Sequence, residues 1–186
     1  MIIQFCGLSG SGKTTLATQV KQLLHEQGIS VEIIDGDTYR KTLCADLGFS
    51  KTDRNENIRR LAAIADEFAK QHILSIISAI NPYEDVRLEI ATKYGNVKTV
   101  YVDCSMDVLI QRDTKRLYQK AMLPQGHPDR INNLSGVNDP FETPQHPDLV
   151  IRTDEEPIRV SAQKLLEFII NVYSGEISKA YELKMR

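Results

Sequence analysis

The sequence predicts an α/β fold in three layers, a five-stranded parallel sheet covered by helices on both faces. Three observations predict it. Short apolar runs alternate with stretches of helical periodicity along the chain, the pattern that assembles a parallel sheet from strand–helix–strand units. Gly7-Leu8-Ser9-Gly10-Ser11-Gly12-Lys13-Thr14 matches G-x-x-x-x-G-K-[ST] and sits between the first apolar run and the first helical stretch. Residues 73–80 are nearly all apolar, as a central strand buried on both faces must be. With 186 residues, 41% hydrophobic and 26% charged, the chain suffices for one domain with a sizeable core.

Ile2-Ile3-Gln4-Phe5-Cys6 is expected as the first strand, and Leu16, Ala17, Val20, Leu23 and Leu24 give the following helix its apolar face. Between them, glycines let successive backbone N–H groups turn toward a phosphate, and the helix N-terminus adds its positive end. Lys13 then reaches the β- and γ-phosphates and the Thr14 hydroxyl ligates Mg²⁺. This reading makes Gly7, Ser9, Gly10, Ser11, Gly12, Lys13, Thr14 and Thr15 the ATP-binding stretch, with Lys13 also catalytic.

Gly28 stops the first helix, and Val31–Ile34 forms a short second strand running into Asp35-Gly36-Asp37. Ligands bind beyond the carboxyl ends of parallel strands, so both carboxylates fall beside the phosphate loop. Asp35 is the candidate for general base or Mg²⁺ ligation; Asp37 serves either chemistry or the N-cap of the next helix. From Ile58 the spacing of Leu61, Ala62, Ala65, Phe68 and Ala69 is helical, placing Arg54 and Asn57 in the first turn. A cation there opposes the helix dipole and points to an anionic ligand.

After the third strand, Asn81-Pro82 reads as N-cap and first-turn residue of a helix. Residues 97–102 make the fourth strand, with Asp103 and Ser105 as caps for a helix starting near Met106. Residues 149–151 make the fifth. Ile158, Ala162, Leu165, Leu166 and Ile169 mark a closing helix capped near Asp154, with Pro157 in its first turn. The organisation expected is a single domain over 1–172 with a mobile lid at about 112–142, and a C-terminal tail over 173–186.

Net charge is −2 with no basic run, so a nucleic-acid footprint is not expected. No apolar stretch approaches the ~20 residues of a membrane span, and the N-terminus enters a strand at once, so a cytoplasmic protein is expected. Cys6, Cys44 and Cys104 have no metal or redox spacing and read as free, buried thiols. His127 and His146, each before a proline, read as exposed loop residues.

The phosphate loop, Asp35-Gly36-Asp37 with Arg40, and the segment Leu47-Gly48-Phe49-Ser50-Lys51-Thr52-Asp53-Arg54-Asn55-Glu56-Asn57-Ile58-Arg59-Arg60 together resemble adenylylsulfate kinases. Residues 100–103, 111–118 and 136–142 look like later signatures of the same family. The resemblance implies a P-loop kinase fold and transfer of the ATP γ-phosphoryl to the 3′-hydroxyl of adenosine 5′-phosphosulfate (APS), giving PAPS. It also implies Mg²⁺ as cofactor and a homodimer. On this resemblance Arg40, Arg54 and Asn57 hold the phosphosulfate and ribose, and Phe49 stacks on the adenine. Ile80, Asn81 and Leu134 complete the substrate site, while Arg112 and Lys115 contact ATP phosphates.

The chain departs from the family in places. Asn81 replaces a phosphorylatable serine, Glu84 replaces an arginine, the lid carries an insertion, and Leu134 stands where the family has a phenylalanine. In-line transfer needs only positioning and charge stabilisation, so kinase chemistry is expected to survive these changes. An alternative acceptor within the same family is another modified nucleotide such as cytidine diphosphoramidate. A non-catalytic nucleotide switch is disfavoured, because Lys13, Thr14, Asp35, Arg40 and Arg112 are all present and an N-K-x-D motif is absent.

Overall fold

The computed structural model describes residues 1–184, with side chains through residue 173; Met185 and Arg186 of the expected tail lie outside the described residues. Five strands form one parallel sheet in the order β2-β3-β1-β4-β5: β1 Ile2–Cys6, β2 Val31–Asp35, β3 Leu74–Ser78, β4 Val97–Asp103 and β5 Leu149–Arg152. Register is set across the centre by Ile3 opposite Ile76 and Lys98, so the loop after β1 emerges between the ends of β3 and β4. Every residue of β1 and of β3 is buried, which explains their near-continuous apolar sequence.

Helices cover both faces. On one side α1 (Lys13–Glu26) and α7 (Ile158–Lys184) pack Leu16, Val20, Leu24, Leu165 and Ile169 against Ile3, Phe5, Ile76 and Val102. On the other, α3 (Lys51–Lys70) and α4 (Glu84–Tyr94) bury Ile58, Leu61, Val86 and Ile90 against Ile2, Ile34 and Ile77. The backbone of residues 173–184 continues α7. Among the described residues no helix is long and apolar enough to cross a membrane.

A third, smaller cluster sits above the sheet. There α5 (Met106–Arg112) and α6 (Leu117–Ala121) bury Leu109, Tyr118 and Ala121 with Cys104 and Leu134, and Leu8 of the phosphate loop packs against them. The region expected as a lid is thus seated on the phosphate loop by its own apolar core. The Tyr118 hydroxyl reinforces this by donating to the Ser9 carbonyl at 2.8 Å. All three cysteines are free and buried, and burial pushes the Cys6 thiol up to about 12.

Four helix starts differ from the expectation, each for an identifiable reason. α3 begins at Lys51, well before Ile58, because Ser50 caps it: its Oγ accepts from Asp53 N at 3.1 Å and donates to the Asp53 carboxylate at 2.7 Å. Arg54 therefore lies in the first turn and Asn57 in the next. The cap of the short α2 (Gly36–Tyr39) is Asp35, not Asp37; Asp35 Oδ1 accepts from Asp37 N at 3.0 Å and Thr38 N at 3.1 Å.

Asn81 caps nothing. α4 starts at Glu84, whose N–H donates to the Glu142 carboxylate at 2.7 Å, so a distant segment supplies the cap. Asp154 likewise serves another helix, accepting from Ser105 N at 2.8 Å at the start of α5, and α7 begins only after Pro157.

Candidate active site

A cavity of about 1150 Å³ opens above the carboxyl ends of β1, β2 and β3. This is the position expected for a ligand site in an open parallel sheet, and the volume accommodates more than one drug-sized molecule. The phosphate loop forms its floor. A Cβ at Gly7 would lie 2.3 Å from the Val102 carbonyl, so only glycine permits the loop to pass β4 at this point. Gly12, at φ 93°, supplies the left-handed turn from which α1 springs.

Lys13 is 8% exposed, and its ammonium donates to the carbonyls of Gly7 at 2.8 Å and Leu8 at 2.7 Å and to Ser11 Oγ at 3.3 Å. Burial pulls it down to about 8 from an ordinary 10.5. A cation that burial disfavours in this way gains from a polyanion brought alongside it.

Thr14, at the first turn of α1, donates to Asp35 Oδ2 at 2.9 Å and lies 3.2 Å from Ser78 Oγ at the end of β3. These hard oxygen donors fit Mg²⁺, which keeps several waters and phosphate oxygens in its shell and takes few protein ligands. Asp35 Oδ1 caps α2, while Oδ2 accepts from Thr14 alone and keeps acceptor capacity beside the phosphate loop. Asp37, also on the cavity wall, pairs with Lys115 from the turn between α5 and α6.

Arg112 donates to the Thr153 carbonyl at 2.7 Å and to Thr153 Oγ1 at 3.2 Å; that hydroxyl in turn donates to the Ser11 carbonyl at 2.9 Å. Thr153 thus ties the end of β5 to the phosphate loop. Sequence reading missed Thr153, Ser78 and Tyr118. Only their positions just beyond or within an element signalled them, because single hydroxyls carry no motif.

The other half of the cavity gathers Arg40, Phe49, Arg54, Asn57, Ile80, Asn81 and Leu134, bringing together every substrate residue expected from the sequence. The Arg40 guanidinium carbon lies 4.6 Å and that of Arg54 5.3 Å from the Phe49 ring centre. Arg40 is lowered by desolvation and then by the charge of Arg54, so an anion between the two relieves both costs. Arg54 is 6% exposed. Its Nε donates to the Phe49 carbonyl at 3.0 Å, and its Nη2 bonds the Asn133 carbonyl and meets Asp139 at 3.1 Å. The region after the lid insertion therefore fixes this arginine.

Glu84 does not line the cavity. It pairs at 2.6 Å with Arg87, which is 2% exposed and also donates to the carbonyls of Asn81 and Glu142, both at 2.6 Å. The charge reversal at position 84 thus neutralises a buried arginine behind the site. Leu134, 5% exposed, is held in the cluster beneath the lid while contributing to the cavity wall.

Comparison with known proteins places these features in context. The family model described as adenylylsulphate kinase matches residues 1–152. An adenylyl-sulfate kinase of Halothermothrix orenii is 42% identical over 167 residues, covering 90% of this chain and 88% of the relative. One from Chloroflexus aurantiacus is 44% identical over 154 residues, covering 83% and 80%. The structure of the Mycobacterium tuberculosis APS kinase CysC in complex with AMPPNP and APS superposes with a TM-score of 0.83. That pair is 35% identical, covering 90% of this chain and 96% of the other.

Proposed function

Since the chain belongs to the adenylylsulphate kinase family, we propose that it transfers the γ-phosphoryl of ATP to the 3′-hydroxyl of APS, forming PAPS and ADP. The observation that carries this reading is one cavity with two chemically distinct halves, a phosphate loop with Lys13 facing a pair of arginines flanking Phe49. A relative whose solved complex holds both AMPPNP and APS supports it.

In the proposed reaction the loop N–H groups and Lys13 hold the β- and γ-phosphates, with Arg112 and Lys115 adding positive charge from above. Mg²⁺, held through Thr14 and Asp35, supplies charge neutralisation when bound. Arg40 and Arg54 grip the phosphosulfate, Asn57 the ribose, and Phe49 offers its face to the adenine. The acceptor oxygen attacks the γ-phosphorus as the bond to the ADP oxygen breaks, and the hydroxyl proton passes toward Asp35. Residues 1–172 act as one catalytic domain, with 112–142 as a lid that shields the transfer from water. A homodimer in the cytoplasm is the assembly and location the family resemblance favours, and light scattering checks the former.

A second reading keeps the mechanism and changes the acceptor. Leu134, not an aromatic side chain, forms the cavity wall, which weakens the case for adenine and leaves cytidine diphosphoramidate as the alternative. Incubation with Mg²⁺-ATP and APS, with the product identified by mass and phosphorus NMR, tests the first reading: PAPS supports it, and inert APS overturns it.

A further inference from the structure

We propose that Asn81 and Gln4 form an acceptor-reading pair. The Asn81 side-chain oxygen accepts a hydrogen bond from an O–H or N–H group of the nucleotide acceptor, and Gln4 is the positioning residue that decides which end of the Asn81 amide is offered. This inference rests on the reading of the cavity as the site of a nucleotide acceptor.

Gln4 is an uncharged polar residue in the middle of the fully buried β1. Its Nε2 donates to the Arg87 carbonyl at 3.1 Å and to Thr99 Oγ1 at 3.0 Å. A carbonyl only accepts, so the nitrogen is fixed on that side and Oε1 must point the opposite way. There it accepts from Asn81 Nδ2 at 3.2 Å. The second amide is thereby oriented as well, with nitrogen toward Gln4 and Oδ1 left over. Two amides in series convert one backbone carbonyl into a defined, unpartnered acceptor on a residue that lines the cavity.

Asn81 is held there at a cost. Its φ of 48° lies in the left-handed region, and its own carbonyl is gripped by Arg87 Nη1. The residue is 1% exposed, yet Oδ1 has no hydrogen-bond partner. Asn57 Oδ1 and Ser135 Oγ, on the same cavity, are also buried without partners. Native proteins leave few such groups, so three around one cavity mark a wall completed by a polar ligand. Amide oxygens accept only, and the anionic end of the acceptor already has Arg40 and Arg54. What Asn81 reads is therefore a neutral donor, a ribose hydroxyl or the exocyclic amine of the base.

The test is steady-state kinetics of wild type, Asn81→Gly, Asn81→Ser and Gln4→Met, with APS and its 2′-deoxy and inosine counterparts as acceptors. Asn81→Gly keeps the left-handed backbone and removes only the side chain. Asn81→Gly is expected to raise the acceptor KM about tenfold, the worth of one such bond, with kcat and the ATP KM within about twofold, and Asn81→Ser, whose hydroxyl still accepts, to raise it by less. Gln4→Met shifts the acceptor KM in the same direction by less.

The analogue that lacks the donor read by Asn81 shows no further penalty in these variants, which distinguishes ribose from base. Equal changes in the KM of ATP and acceptor, or an undiminished penalty with both analogues, overturn the inference. Should wild type ignore APS, the functional reading fails separately. The same criteria then apply to cytidine diphosphoramidate with its 2′-deoxy and uridine counterparts, and inertness toward these too overturns both.

Discussion

The two halves of the cavity are built in different ways. The phosphate half is built mainly on one continuous stretch, residues 7–15, carrying the backbone N–H groups and Lys13 proposed to hold phosphate, with Arg112, Lys115 and Thr153 beside it. The acceptor half takes Arg40 from beyond α2, Arg54 and Asn57 from α3, Asn81 from the turn before α4 and Leu134 from beyond the lid insertion. The first half is fixed by local chain geometry and the second by how distant segments meet. Donor binding should therefore tolerate change around the site, whereas acceptor binding should respond to the turn before α4 and to the lid.

The strongest challenge to this contrast is at Lys13. Lys13→Ala is expected to lower kcat by on the order of 10²-fold or more with either acceptor, since it removes charge stabilisation from the transferring group. In the wild type, burial leaves Lys13 at about 8, so it loses its proton as pH rises through that value. Bound phosphates favour the charged form; ATP binding therefore takes up a proton above about pH 8 and weakens as pH climbs. Calorimetry in buffers of different ionisation enthalpy reads this uptake, which disappears in the variant.

Arg54→Ala should separate the halves. Losing a charge-assisted contact raises the acceptor KM by about tenfold to a hundredfold, while the ATP KM stays within about twofold. A matching rise in the ATP KM would show that the halves are not independent.

Glu84→Gln probes the support behind the acceptor half. Leaving buried Arg87 without its carboxylate should cost about 2 kcal/mol and lower Tm by about 4–8 °C. An unchanged melting curve would remove Glu84 from the account. The smallest effect belongs to Asp37 and Lys115, whose side chains are 69% and 55% exposed. A double-mutant cycle of Asp37→Asn and Lys115→Met should give a stability coupling below about 1 kcal/mol. A larger value would make this contact a structural clasp of the lid.

The same division explains what could be read in advance. The phosphate loop, the order of the strands and the placing of Asp35 beside that loop follow from a contiguous motif and from strands whose ends share one edge of the sheet; the direct hydrogen bond from Thr14 to Asp35 does not. The misplaced caps have different causes. Asn81-Pro82 has the local form of a helix start, but Glu142, far away in sequence, caps α4 and leaves Asn81 in a left-handed turn. Ser50 and Asp53 did carry a local capping signal, which the apolar periodicity beginning at Ile58 obscured. Glu84 is more instructive still. Its spacing three residues before Arg87 on α4 is that of a helical ion pair and stands in the sequence, but the burial of Arg87 that makes Glu84 its necessary counter-ion depends on how distant segments pack.

In the proposed function this cavity joins an ATP site to a site for APS. Initial rates of ADP formation with Mg²⁺-ATP and either APS or cytidine diphosphoramidate, taken to kcat/KM for each, test it most directly. The account predicts that APS is the better acceptor by at least about tenfold and that its product carries the new phosphate on the 3′-oxygen. A preference for cytidine diphosphoramidate, or phosphate placed elsewhere, would contradict it.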